Sequence, residues 1–181
     1  MKNTNFLLTI SFTLISFSGL GQVAEPVKQV IPEPSIGLSI TEMLVIAREE
    51  LEHLQMVHDV IKKRGLTLGR ERKDHYVNEL FKFMKKDGSR RDALCDRLLF
   101  SAMIEARSCE RFKVLSENIK DEELSKFYWD LMESEASHYT TFITYARKYG
   151  TGIDVEKRWR EWLEFEESII TNYGKGETIH G

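Results

Sequence analysis

All three prolines of this 181-residue chain, Pro26, Pro32 and Pro34, fall before Ser39. Proline removes a backbone donor and clashes with the preceding turn, so a long proline-free stretch can be helical throughout. From Ser39 onward the apolar residues recur in steps of four and three, the spacing that keeps one face of a helix turned inward. No segment shows the alternating β-branched pattern of a half-buried strand, so the expected class is all-α.

Cap and turn residues divide this region. Ser39-Ile-Thr-Glu42 reads as a capping box opening a helix that runs to Arg64, with Gly65 as its stop. A basic connection, Leu66–Lys73, leads to a short helix from about Asp74 to Lys86. Asp87-Gly88-Ser89 is a turn, and Ser89 caps a helix over residues 91–117. Asn118–Asp121 is short enough that this helix and the next, capped by Asp121 and ending at Tyr149-Gly150, should run antiparallel. Asp154 opens a last amphipathic helix carrying Val155, Trp159, Trp162, Leu163, Ile169 and Ile170. It is expected to pack across the bundle with its tryptophans in the core.

The inward stripes contain residues that do not belong in an apolar core. In the first helix the stripe reads Met43, Ala47, Glu50, Leu54, Val57, Ile61, with His53 three residues after Glu50. In the helix after Asp121 it reads Leu124, Tyr128, Leu131, Glu135, His138, Phe142, Tyr145. Two Glu-x-x-His steps therefore lie inward, and a buried charge is costly unless paired or metal-bound. A helical bundle offering this pair twice, with further carboxylates from its other helices, suits a di-iron or di-manganese site. The third step, Glu177-Thr-Ile-His180, follows Gly174 and Gly176 and lies on no such stripe.

A further inward carboxylate is Glu105, in the stripe Leu94, Leu98, Ala102, Glu105, Cys109, Phe112. A hairpin centred near residue 120 sets Glu105 level with Glu135, each about 22 Å from the turn. Glu110 lies on another face and is expected to pair with Arg107 or Arg111. The competing reading for Glu105 is a carboxylate paired with an arginine in the core.

The first 22 residues have the grammar of a secretory signal peptide: Met1-Lys2-Asn3, an apolar run from Phe6 to Phe17, then Ser18-Gly-Leu-Gly-Gln22. Residues 23–38 read as a proline-containing linker and 39–181 as one helical domain. Cys95 and Cys109 share one expected helix about 21 Å apart, too far for a disulfide, and read as ordinary thiols with Cys109 in the core. The net charge of −3 argues against a nucleic-acid binder, but its distribution does not. Between Lys62 and Arg91 eleven basic residues face four acidic ones, a local +7. Lys62, Lys63, Arg64, Arg70, Arg72, Lys85, Lys86, Arg90 and Arg91 are thus candidate phosphate contacts, with a solvated charged face as the plainer alternative.

From about Leu44 onward the sequence resembles the bacterial tRNA 2-methylthio-N6-isopentenyladenosine hydroxylases, a branch of the ferritin-like di-iron proteins. The resemblance rests on Ala47-Arg-Glu-Glu-Leu-Glu-His53, Ile61-Lys-Lys-Arg-Gly65, Ile104-Glu-Ala-Arg-Ser-Cys-Glu-Arg-Phe112, Lys126-Phe-Tyr128 and Ser134-Glu-Ala-Ser-His138. It implies a ferritin-like up-down four-helix bundle with an extra C-terminal helix. It further implies that Glu50, His53, Glu105, Glu135 and His138 are metal ligands, with the three glutamates serving catalysis through the metal centre. The cofactors implied are two non-haem irons, with O₂ as co-substrate and an external electron donor. The partners implied are tRNA and an electron-transfer protein, in the cytoplasm and without stable membrane association. The family's first helix, with its Asp-His-Ala-x-Cys-Glu-like stretch, has no counterpart before Ser39. The sequence reading accordingly expects five ligands where six would complete a site, substoichiometric iron and weak turnover. An exported ferritin-like iron-binding protein without tRNA activity is the alternative.

Overall fold

The structure, a computed structural model, describes residues 40–68, 74–85 and 87–172. Its elements are five helices: α1 Ile40–Lys63, α2 His75–Phe83, α3 Arg90–Asn118, α4 Glu122–Tyr149 and α5 Val155–Asn172. The chain divides into two compact units, Met1–Arg70 and Glu71–Gly181. The signal-like segment, the linker, the expected Ser39 cap and the Glu177–His180 step lie outside the described residues.

In the first unit, α1 buries Ile46, Glu50, His53, Val57 and Ile61. The expected stripe is corrected at one position: Ala47 is exposed and Ile46 is buried. The two are one residue apart, and the larger aliphatic gains more from burial than a methyl group does. At the other end Gly65 has φ +64°, and the Leu66 N–H bonds to the Ile61 carbonyl while the Gly65 N–H bonds to that of Lys62. These two bonds close the helix in a Schellman stop, which needs a residue that accepts a left-handed backbone.

In the second unit every helix start has a side-chain cap. Asp74 accepts from the Val77 N–H and Asp121 from the Leu124 N–H, while Ser89 and Asp92 form a reciprocal capping box. Asp154 accepts from the Lys157 N–H at 2.9 Å. Each such cap is typically worth about 1 kcal/mol. Ile119–Asp121 joins α3 to α4, and these two helices make the most extensive contact in the unit.

Helix α3 is buried on all sides over Leu98–Glu105, and α2, α4 and α5 all pack on it. Cys95, with 1% exposure, is the core thiol; Cys109 is only half-buried, which corrects the expectation for that residue. Burial pushes the Cys95 thiol up to about 11. Trp162 is fully buried beneath Phe83, ring centres 4.9 Å apart, whereas Trp159 is half-buried and Leu163 exposed.

A buried ion pair fastens α5 to α3. Arg158 donates from Nε to Asp96 Oδ1 and from Nη2 to Asp96 Oδ2, both at 2.7 Å. The Lys85 N–H also bonds to Asp96 Oδ2 at 2.7 Å, and Arg158 Nη2 reaches the Phe83 carbonyl at 3.1 Å. The pair thus ties together the end of α2, the start of α3 and α5. Removing one partner of such a pair strands the other charge in the core. Arg158→Met is expected to cost about 3–5 kcal/mol in urea unfolding, and Asp96→Leu combined with it should recover a large part. A single variant within 1 kcal/mol of the parent would contradict this role.

Candidate metal centre

Glu50 and His53 lie three residues apart on α1, a spacing that sets both on one face. Their residual exposures are 3% and 6%. Helix α4 repeats the arrangement with Glu135 and His138, each 3% exposed. His138 Nδ1 stands 3.6 Å from Glu135 Oε2. That separation exceeds a hydrogen bond, so the two donors stand side by side. Leu131, one turn before Glu135, and Phe142, one turn after His138, are fully buried and extend the stripe as an apolar wall.

Glu105, at 1% exposure, is among the largest fully buried side chains of α3. Glu110 points elsewhere: it is exposed and pairs with Arg107, Nη1 to Oε2 3.2 Å. On a further face of α3 lies a polar layer that the sequence reading missed. The Tyr76 hydroxyl donates to Glu166 Oε1 at 3.1 Å, and burial, reinforced by Arg107, lowers Arg111 to about 10. Burial followed by the Glu166 charge raises the Tyr76 phenol well above its ordinary range. The only sequence signal for this layer was the i, i+4 spacing of Arg107 and Arg111.

The donor chemistry fits a metal. Glu50 with His53 on α1, and Glu135 with His138 on α4, each supply a buried carboxylate and imidazole of the kind that can hold an ion. Carboxylates with one imidazole per pair, and no thiolate, suit iron or manganese better than a thiolate-bound metal.

The candidate phosphate contacts, all within residues 62–91, are divided between the two units. Lys62, Lys63 and Arg64 are exposed at the end of α1, and Lys85 and Arg90 are exposed in the second unit. Arg91 is half-buried, its Nη1 donating to the Thr151 carbonyl at 3.0 Å. Arg70, Arg72 and Lys86 lie outside the described residues.

An all-α chain with paired carboxylate–imidazole steps buried on its helices falls in the ferritin-like class. Comparison with known proteins agrees and sharpens it. The model of the family described as tRNA-(MS[2]IO[6]A)-hydroxylase (MiaE) matches residues 27–181, and the chain belongs to that family. It is 38% identical over 118 residues to a Pseudomonas putida protein, covering 65% of this chain and 56% of that one. It is 33% identical over 141 residues to one from Salmonella typhimurium, covering 78% and 51%. Both relatives are named tRNA 2-(methylsulfanyl)-N(6)-isopentenyladenosine(37) hydroxylase, and the chain spans about half their length. Among solved structures it is similar to protein 43 with aldehyde deformylating oxygenase activity from Synechococcus. The TM-score is 0.71 at 24% identity, over 96% of this chain and 78% of that one, a likeness of fold.

If the buried glutamates hold metal, Glu105→Ala and Glu135→Ala should each lower the iron bound per chain. Glu110→Ala, which removes only a surface pair, should leave iron content unchanged. Elemental analysis of the purified variants checks this, and the reverse order would overturn the assignment.

Proposed function

We propose that this chain is an O₂-dependent non-haem di-iron hydroxylase. Its substrate is the isopentenyl group of 2-methylthio-N6-isopentenyladenosine beside the tRNA anticodon, and its place of action the cytoplasm. The observation that carries the reading is the family match over residues 27–181, which includes every buried donor. The names of the two relatives supply the substrate class and the reaction. Among the described residues no helix is long and apolar enough to cross a membrane.

In this reading Glu50, His53, Glu105, Glu135 and His138 would hold the iron. A pair of iron ions supplies, when bound, the two-electron activation of O₂ needed to attack an unactivated C–H bond. The balance is one C–H bond and O₂ consumed with two electrons from an external donor and two protons, giving the alcohol and water. The chain's own residues provide the setting. Tyr128, Leu131, Phe142 and Ile143, all buried along α4, keep water from the donors and offer an apolar lining to an alkyl tail. The carboxylates sit on rigid helices rather than loops, which holds donor positions fixed through turnover. An anticodon-loop base can leave its stack, so the tail can enter a helical core while the RNA backbone stays outside.

Nucleoside analysis of tRNA from cells with and without this gene tests the proposal. The hydroxylated nucleoside should disappear on deletion while its unhydroxylated precursor accumulates. The intact gene should restore it and the Glu135→Ala gene should not. An unchanged nucleoside profile on deletion would overturn the reading.

A further inference from the structure

The geometry points to one end of the second unit, where α3 begins and α4 ends, as the surface that grips RNA. Arg90, Arg97 and Lys148 would meet phosphates there, and Tyr149 would serve as the platform for an unstacked base. The inference rests on the proposal that the substrate is a tRNA, and adds where the RNA is held.

The short connection at residues 119–121 makes α3 and α4 antiparallel, so the start of one lies beside the end of the other. Two contacts fix this. Arg91 Nη1 donates to the Thr151 carbonyl at 3.0 Å, and Gly150 packs so close to α3 that an added Cβ would meet Cys95 Sγ at 3.4 Å. The acids at this end are largely engaged within the fold. Asp92 is bound in the Ser89 cap, Asp96 and Glu161 hold Arg158, and Glu156 holds Arg147 at 2.7 Å. Lys85, Arg90, Arg97, Lys148, Lys157 and Arg160 are exposed. The opposite end, at the α3–α4 turn, is mixed in charge: Glu117, Glu122, Glu123 and Asp130 are exposed there beside Lys113, Lys120 and Lys126, and Asp130 is paired with Lys126 at 2.8 Å. A polyanion is therefore drawn to the end where α3 begins and α4 ends rather than to the turn.

Aromatic rings accompany the charge. Tyr149 and Tyr145 are half-buried with ring centres 6.1 Å apart, and Lys148 Nζ lies 4.8 Å from the centre of the Tyr149 ring. A cation beside a tyrosine ring is the combination that holds single-stranded nucleic acid, one part for phosphate and one for the base. These tyrosines continue the stripe of His138 and Phe142 along α4. Tyr149 lies eleven residues beyond His138, about 16 Å along the helix. A nucleoside whose tail reaches the level of His138 would thus have its neighbours near this end.

The test is equilibrium binding of a tRNA transcript to the full chain across a salt series. The triple variant Arg90→Ser, Arg97→Ser, Lys148→Ser should bind at least tenfold more weakly at low salt. Its log affinity–log salt slope should flatten by about two units, at about 0.7 per lost phosphate contact. Tyr149→Ala should weaken binding about tenfold with the slope unchanged, since stacking releases no counterions. Lys113→Ser with Lys120→Ser and Lys126→Ser, at the turn end, should change neither quantity. Circular dichroism establishes that each variant is folded, and Lys148→Glu alone gives the same readout should the triple variant fail. If the parent binds tRNA and the triple variant keeps its slope, or the turn-end control loses as much, this surface is wrong and the hydroxylase reading stands. If the parent binds no tRNA at any salt, the proposed substrate itself falls, and this surface with it.

Discussion

A carboxylate taken out of water costs several kcal/mol even after the surrounding protein has relaxed. The helices of this protein bury three such groups, Glu50, Glu105 and Glu135, together with His53 and His138, at exposures between 1% and 6%. A sequence selected for stability alone would place leucine or methionine at those positions, as it does at Leu131, one turn before Glu135. The stripes on which the acids stand are otherwise apolar and regular. The acids are therefore best understood as compensated by something the helices are built to hold, and the donor types suit iron.

Much of the second unit acts to keep those helices rigid. Side-chain caps at Asp74, Ser89, Asp121 and Asp154 fix where helices begin. The Asp96–Arg158 pair and the Tyr76–Glu166 hydrogen bond fasten α5 to α3 and α2 to α5. Asp96 stands nine residues before Glu105, which places the two carboxylates on opposite faces of α3.

The sequence revealed local matters well and distant ones poorly. Helix ends were legible because each is written in a few adjacent residues, as at Ser89, Asp121 and Gly65. The α4 stripe was legible because Tyr128, Leu131, Glu135, His138 and Phe142 follow the helical period without interruption. On α1 the period left a choice between Ala47 and Ile46, and only packing decides between neighbours. The Asp96–Arg158 pair was hidden because its members stand 62 residues apart and Arg158 looks like any charge on an amphipathic helix. One signal was overlooked: Leu98-Leu-Phe-Ser-Ala-Met-Ile104 is apolar all round, which marks a helix covered on every side. A charge two residues before such a run, as Asp96 is, needs a buried partner.

The central claim is that the buried glutamates and histidines exist to hold two metal ions. Anomalous X-ray scattering at the iron edge, from crystals of the iron-loaded protein, tests it most directly. Two anomalous peaks are expected, one beside Glu50 and His53 and the other beside Glu135 and His138, one of them weaker because five ligands stand where six would complete the site. Fully loaded crystals with no iron at these side chains, or with iron held by other residues, would contradict it.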